Sequence, residues 1–512
     1  MRTIARGIQS KEYEKELKRK SRELLILRMK IFIEEYRRNK LGLLGVFILV
    51  TYVVLAIVGP YISPADPMLD MDLADRIVPP EWVAIFGGEF ARLPPTLYWK
   101  IVEEVLNHDN SVSIECDDFL VVSIDDESLT LNLKSRDNIP SVGVLRITKT
   151  FQYNYRPPRT FFVYIRGAKE KGYVTYLKIY VEKPDGETLL LWDCRRLNPY
   201  FNALFEKGGL ITICTREMKY IDWFAEQYEL VSDPFLICST VFDTNGTYKL
   251  VFEFKLVGIN RIARSDKNLN FRLIMLDFKI LGLRYGILGT DNWGRDVFAQ
   301  LVNGIWVSLT IGVVASIIGS LISAFLGITA VLMGGVVDEV IMRTADIMMI
   351  LPRLPLLLVL MAVLKGDIWT VIILLAIIYA PSGARGVRAF VLTYINEPFI
   401  EAAKARGAGF FRMVFRHVFP PLLPIIYANM ARSAPAAITL EAELSYLGIA
   451  TDPYRMTWGK MLSFAQASGA LSRWAWWWIF PPGFSIMLVS LSFVLIGHAL
   501  DEIMNPRLKR RR

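Results

Sequence analysis

No GxxxxGKS or GxxxxGKT stretch occurs anywhere in the 512 residues, so the chain lacks the backbone loop that cradles a nucleotide's phosphates and is not itself an ATPase. Histidine and cysteine are scarce, at three and four residues, and no CxxC pair occurs. Only His108 shares a stretch with Cys116, Cys194, Cys214 and Cys238, so no metal site is expected. Charge is missing over long runs: none falls in Leu41–Ile62, and none between Asp296 and Asp338. With 53% hydrophobic residues clumped in this way, an ordinary soluble domain is excluded. A cleavable signal is not expected either, because the first apolar run is too long for a signal core and no small-residue cleavage site follows it. That run should remain as an anchor.

A bilayer core about 30 Å thick is crossed by roughly 20 apolar residues in a helix. Six spans are predicted: Leu41–Ile62, one full span with a shorter amphipathic piece between Asp296 and Asp338, then Ile347–Leu364, Ile368–Pro381, Leu422–Leu440 and Phe484–Leu500. The formal charge of +9 is concentrated in residues 1–40, in the final "RLKRRR", and in the loop after the fourth span, which holds Arg385, Arg388, Lys404, Arg406, Arg412 and Arg416. Short basic flanks stay cytoplasmic, and six spans put all three regions on that side. The first forty residues read as a basic amphipathic segment resting on anionic lipid. Nucleic acid is not an expected partner, since no aromatic interleaving accompanies the charge.

Residues 63–285 differ in kind, with short alternating runs such as "FLVVSID", "LTLNL", "VGVLRITKT", "TFFVYIRG", "VTYLKIYVEK", "TLLLWDC", "YKLVFEFKL" and "FRLIMLDFKI". Lys183-Pro184-Asp185-Gly186 reads as a hairpin turn between two of them. The expectation is an inserted extracytoplasmic β-rich, sandwich-like domain. All four cysteines lie in it, which permits one or two disulfides outside the cell. The acidic pairs Asp117-Asp118 and Asp125-Asp126 read as solvated turn residues rather than a calcium or catalytic site.

The loop segment "EAAKARGAGFFRMVFRHVFPPLLP", Glu401–Pro424, reads as a helix, a break near Gly407-Ala408-Gly409, and a second helix ended by Pro420-Pro421. Ala402 and Ala403 leave room for another surface, and Glu401 suits a helix N-terminus. Glu401-Ala402-Ala403, Gly407 and Pro420 at this spacing resemble the EAA motif of ABC importer permeases, with departures at His417 and Phe419, where Ile and Leu are usual. "LGTDNWGRDVFAQLVNGIWVSL", "GGVVDEVIMRTADIMMILP", "LEAELSYLGI" and "RRNKLGLLGVFIL" are similar to the peptide/nickel branch of that family. The resemblance covers about residues 30–65 and 286–512, and the large insertion is a departure from it.

The resemblance implies a membrane all-α, ABC importer permease-like core of six transmembrane helices, residues 41–62 and 286–512, in a prokaryotic cell membrane. It further implies a non-catalytic half of a translocation pathway for peptides or oligosaccharides. Loop 396–420 would dock cytoplasmic ATPase subunits through Glu401, Ala402, Ala403, Lys404, Arg406, Gly407 and Ala408. ATP and Mg would sit on the ATPase, so no cofactor is expected in this chain. The other implied partners are a second permease in a heterodimer and an extracytoplasmic solute-binding protein. The resemblance does not extend to the β-rich insertion; as a separate expectation, it caps the pore entrance and helps to dock that protein or hold its ligand. The competing reading is a membrane-anchored surface receptor or enzyme whose β-rich block carries the function.

Charges at membrane depth usually face a partner or a water-filled path. Arg353, Arg432, Glu441 and Glu443 are therefore candidates for the path or the permease interface, Arg432 and Glu443 lying eleven residues apart on nearly one helix face. Asp338, Arg343 and Asp346 have the spacing of structural ion pairs on a helix. Asp291, Arg295 and Asp296 read as capping structure, and "RWAWWWIFPPG", Arg473–Gly483, as an interfacial aromatic belt.

Overall fold

The computed structural model describes residues 33–504, except 126, 135–138, 265–268, 365–366 and 450–454. Most of the basic N-terminal segment, the basic C-terminal tail and Asp126 therefore lie outside the described residues. Two compact units are present, one of residues 1–69 and 298–512 and one of Asp70–Val297.

In the first unit the helices are α1 (Lys40–Ile62), α2 (Val297–Met333, entering this unit at Phe298), α3 (Gly335–Ile350), α4 (Arg353–Leu364), α5 (Ile368–Tyr394), α6 (Pro398–Ala405), α7 (Phe419–Tyr446), α8 (Trp458–Ala467) and α9 (Trp476–Met504). Among the described residues, α1, α2, α5 and α9 are long and apolar enough to cross a membrane, and α3 with α4 passes as a bent pair. The expected spans are corrected in two ways. First, α2 is one unbroken helix of 37 residues, about 55 Å at 1.5 Å per residue, where a span plus a separate amphipathic piece was expected. Second, the expected span Ile347–Leu364 is broken: α3 and α4 meet at 95° across Leu351-Pro352, because proline disfavours a helical residue before it and donates no hydrogen bond. The expected span Leu422–Leu440 lies within α7, which has the length of a span at 28 residues but with Arg432, Glu441, Glu443 and several prolines is less apolar than the other four.

Alanine and glycine allow the close helix packing. A side chain at Gly327 of α2 would come within 2.7 Å of the Ala384 carbonyl of α5, so only hydrogen fits at that crossing. Of the aromatic run that leads into α9, Trp477 and Trp478 are buried inside the protein, so they cannot serve an interfacial belt, while Trp474 and Phe480 are exposed.

The second unit is a pair of antiparallel sheets. Its strands are β1 (Leu97–Lys100), β2 (Val112–Cys116), β3 (Leu120–Asp125), β4 (Ser128–Leu133), β5 (Val142–Tyr153), β6 (Phe161–Lys169), β7 (Val174–Glu182), β8 (Thr188–Asp193), β9 (Leu210–Cys214), β10 (Gly246–Val257) and β11 (Phe271–Ile280). One sheet runs β3-β4-β11-β6-β9 with β1 also on β11, and the other runs β2-β5-β10-β7-β8. Alternation does the sorting: along β10 Tyr248, Leu250, Phe252, Phe254 and Leu256 are all fully buried while their neighbours are not. They meet aromatic side chains of the facing sheet, such as Phe254 against Phe271, in one continuous core. β7 and β8 form the hairpin through Lys183–Gly186. Short helices, including Met218–Gln227 and Pro234–Val241, add to the sandwich.

The two ends of this unit pair with each other. Asp72 and Leu73 donate to the carbonyls of Trp293 and Gly294, Ile77 donates to Asp291, and Glu81 donates to Gly286. The unit therefore extends to Val297, twelve residues past the expected limit of 285, because 285–294 is hydrogen-bonded to 72–81. Adjacent ends allow a domain to be inserted between two helices. Arg216 fixes this ribbon to the sandwich, reaching Asp72 at 2.7 Å and Asp75 at 2.6 Å, and Asp291 pairs with Arg295 in a buried turn at 2.6 Å.

The disulfide expectation is overturned, since all four thiols are free. Each has its own surroundings: Cys194 Sγ accepts from the Leu177 N–H, Cys214 Sγ from the Arg216 N–H, and Cys116 Sγ donates to the Leu120 carbonyl. Burial pushes the Cys194 thiol up to about 11 and raises Cys238 further. Asp117 accepts the Val144 N–H of β5, and Asp125, the last residue of β3, accepts the Thr130 hydroxyl of β4.

Candidate functional site

Two features of the membrane unit carry polar chemistry: the loop between α5 and α7, and a cavity between α2, α4, α5 and α7.

The loop begins with α6, eight residues long, which Pro398 starts in the first turn. A helix this short does not hold on its own. It is held by Ile400 and Ala403, which are buried with Met413, Val414, Val418, Leu422 and Ile426 against Ala324 and Ile328 of α2 and Val387 and Val391 of α5. The other face is open: Glu401, Ala402, Lys404, Arg406 and Gly407 are exposed, and Ala408 is half-buried. Ala403 thus turns inward, where its small size lets α6 lie close to its own core, and Ala402 is the alanine offered to another surface. Gly407 has φ +75° and caps α6, donating to the Lys404 carbonyl at 2.9 Å. A side chain there would meet nothing within 4 Å, so the glycine serves the left-handed backbone and not a steric need.

Beyond Gly409 the chain re-enters a helix, and the expected stop at Pro420-Pro421 does not occur. Residues Met413–Val418 widen into a π-helical turn, and the prolines open α7, where missing N–H groups cost little. Two Arg–Asp pairs brace the end of α5 against α3. Arg388 grips Asp338 with two bonds of 2.6 and 2.5 Å, and Arg385 pairs with Asp346. Arg343 adds looser pairs to Glu339 and Asp346 within α3. The main partners of Asp338 and Asp346 are therefore on another helix.

The cavity has a volume of about 320 Å³. Ser316, Ser320 and Ser323 face it from α2 at a spacing of four and three residues, which is one helix face. Opposite stand Tyr379 and Ser382 of α5, Asn429, Arg432 and Ser433 of α7, and Arg353, the first residue of α4 after the bend. The Arg353 guanidinium lies 4.7 Å over the Tyr379 ring. Arg432 bonds Asn429 at 3.2 Å and stands 3.9 Å from Asp501. A larger space of about 670 Å³ between α1, α2, α7 and α9 is lined almost wholly by apolar side chains and has little to offer a polar solute.

Of the four expected path residues, the structure brings Arg353 and Arg432 into the cavity. Glu443 is exposed on α7. Glu441 is fully buried and accepts the Ser445 hydroxyl at 2.8 Å, about 200° around the helix from Glu443. It belongs to the packing of α7 and does not line the cavity. The serine stripe of α2 was missed in the sequence, although its spacing could be read there.

Residues 316–510 match the family of binding-protein-dependent transport system inner membrane components, and residues 28–80 match the N-terminal transmembrane domain of oligopeptide transport permease C. A peptide permease protein of Brucella suis is 34% identical over 219 residues, 43% of this chain and 72% of the relative. The oligopeptide transport system permease protein OppC of Bacillus subtilis is 35% identical over 222 residues, with the same coverage. The chain belongs to the ABC importer permease family. A peptide transport system permease protein of Brucella suis is 33% identical over 240 residues, 79% of its length. A chain of the inward-facing methionine transporter MetNI covers 40% of this chain and 94% of its own at 20% identity, with a TM-score of 0.31, a likeness too low to bear on the fold. This permease is a multi-pass membrane protein and a non-catalytic component of an importer. The two matched ranges leave residues 81–315 uncovered, and most of the β-rich unit lies there.

Proposed function

We propose that this permease forms half of the pathway of an ATP-driven peptide importer and takes its motion from a cytoplasmic ATPase seated on the α5–α7 loop. The observation that supports this best is the division of α6 into two faces. Ile400 and Ala403 anchor it to α2, α5 and α7, while Glu401, Ala402, Lys404 and Arg406 face outward. A surface fixed to the helices that line a polar cavity can pass a push from a partner to that cavity. The relatives' names support peptide as the cargo.

In this reading both termini are cytoplasmic, a second permease completes the pathway, and a solute-binding protein delivers the cargo from outside. The β-rich unit helps to dock that protein. Arg353 and Arg432 line the route, and the ATPase supplies ATP and Mg. Uptake of a labelled oligopeptide into proteoliposomes holding the whole complex tests the function. Uptake that requires enclosed ATP and the binding protein is expected, whereas uptake driven by an ion gradient without ATP would overturn it. Replacing 82–284 with a short linker should impair uptake that depends on the binding protein, and full uptake would remove the docking role of the β-rich unit.

A further inference from the structure

The cavity's polar groups are of two kinds. Ser316, Ser323, Ser382, Ser433 and Tyr379 spend their own protons on backbone carbonyls, at 2.7 to 3.2 Å. The Tyr379 oxygen is also hydrogen-bonded to Arg353, while the serine oxygens keep lone pairs and act toward a solute as acceptors. The strong donors are the two guanidiniums, and none of the described residues lining the cavity is acidic. Arg353 rests on the Tyr379 ring, and the nearest carboxylate to Arg432 is Asp501 at 3.9 Å, outside the cavity's lining. The lining therefore carries net positive charge, and Glu443, outside the lining, is a carboxylate whose charge reaches Tyr379. Acceptors beside cationic donors complement a chain that presents N–H groups and ends in a carboxylate. A neutral sugar has no group that needs two guanidiniums.

We infer that the cavity is a carboxylate-holding subsite of the pathway, in which Arg353 and Arg432 bind a peptide's carboxylate while the serine oxygens accept its N–H groups. This rests on the peptide-importer reading. The carboxylate can be the peptide's C-terminus or an acidic side chain, since a guanidinium binds both alike.

The test uses the whole complex in proteoliposomes with the binding protein loaded to saturation, so that differences in capture from outside do not enter. Three peptides are compared: a neutral tripeptide with a free C-terminus, its C-terminal amide, and an amide bearing one glutamate side chain. Arg353→Gln and Arg432→Gln are expected to lower uptake of the free-acid peptide on the order of tenfold, the loss of a charge-assisted pair, and to leave the neutral amide within about twofold. A parallel fall for the glutamate amide would show that any carboxylate is held. Unchanged uptake of that amide would confine the subsite to the C-terminus. Ser320→Asp, which places a counter-charge in the cavity and leaves both arginines in place, should reproduce the selective loss. Equal losses of acid and neutral amide in all three variants, or no loss in any, would overturn the subsite. A wild-type complex that imports none of the peptides would overturn the peptide reading itself, and the subsite with it.

Discussion

Ile400→Ala separates the two faces of α6 in one experiment. Ile400 is fully buried, and the helix that carries it has one other buried side chain, Ala403, to hold it in place. Removing a buried isoleucine down to alanine costs about 2–5 kcal/mol. Because α6 is too short to persist alone, that loss falls on the local equilibrium between docked and detached helix. A loss of about 3 kcal/mol makes detachment on the order of a hundredfold more frequent. Amide exchange in the purified protein should therefore quicken about a hundredfold over residues 400–406 and stay unchanged in α2 and α5. The residue touches no partner, yet ATPase activity stimulated by the binding protein should fall with it. Unchanged exchange over 400–406 would refute the anchoring, and faster exchange with full coupling would refute the idea that a docked α6 transmits motion.

Other consequences follow from single contacts. The Asp338–Arg388 pair is partly exposed, so Asp338→Asn should cost only about 1 kcal/mol, and the double exchange Asp338→Arg with Arg388→Asp should restore coupling that either single change lowers; no rescue would mean the pair does not act as a unit. Asp277 is held above the usual carboxylate range by burial, with the Tyr98 hydroxyl at 2.5 Å opposing that shift. A carboxylate whose folded pKa is raised weakens the fold above that pKa and ceases to do so as pH falls toward its unfolded value, so Asp277→Asn should raise the melting temperature at pH 7 more than at pH 4. Equal effects at both pH values would contradict this. Maleimide should label the folded protein at the half-buried Cys116 first, with Cys194, Cys214 and Cys238 protected until unfolding; rapid labelling of Cys238 would count against the packing.

The parts of this fold that were legible in the sequence are those where one periodicity dominates over many residues. All eight alternating runs named from the sequence are strands, because each lies in a sheet with one buried face. β1, β2 and β9 were missed because four or five residues give alternation little room. The short helices packed among the strands were missed because the block's composition is β-like as a whole. In the membrane unit hydropathy located the helices but not their breaks. Pro352 was visible, yet a run of apolar residues on both sides hid the 95° bend. Pro420 and Pro421 gave the opposite error, since a proline pair ends one helix or opens the next, and only the π-helical turn before them decides which. Arg353 and Arg432 stood out as charges within apolar runs. Their meeting in one cavity depends on the α3–α4 bend and the packing of α7 on α5, which spacing along the chain does not encode. Glu441 and Glu443 could have been separated from sequence alone, since two residues are 200° apart on a helix.

The most direct test of the central claim is purification of this permease from its own membrane, wild type and Gly407→Asp, with identification of the chains that come with it. At φ +75° and with open space around it, the substitution should leave the fold standing, at a local cost of about 1 kcal/mol, while placing a carboxylate on the exposed face beside Arg406. The account predicts that a chain with a phosphate-cradling loop accompanies the wild type and is lost from the variant, with the melting temperature of the permease little changed. A wild-type preparation with no such chain, or a variant that retains it in full, would contradict the account.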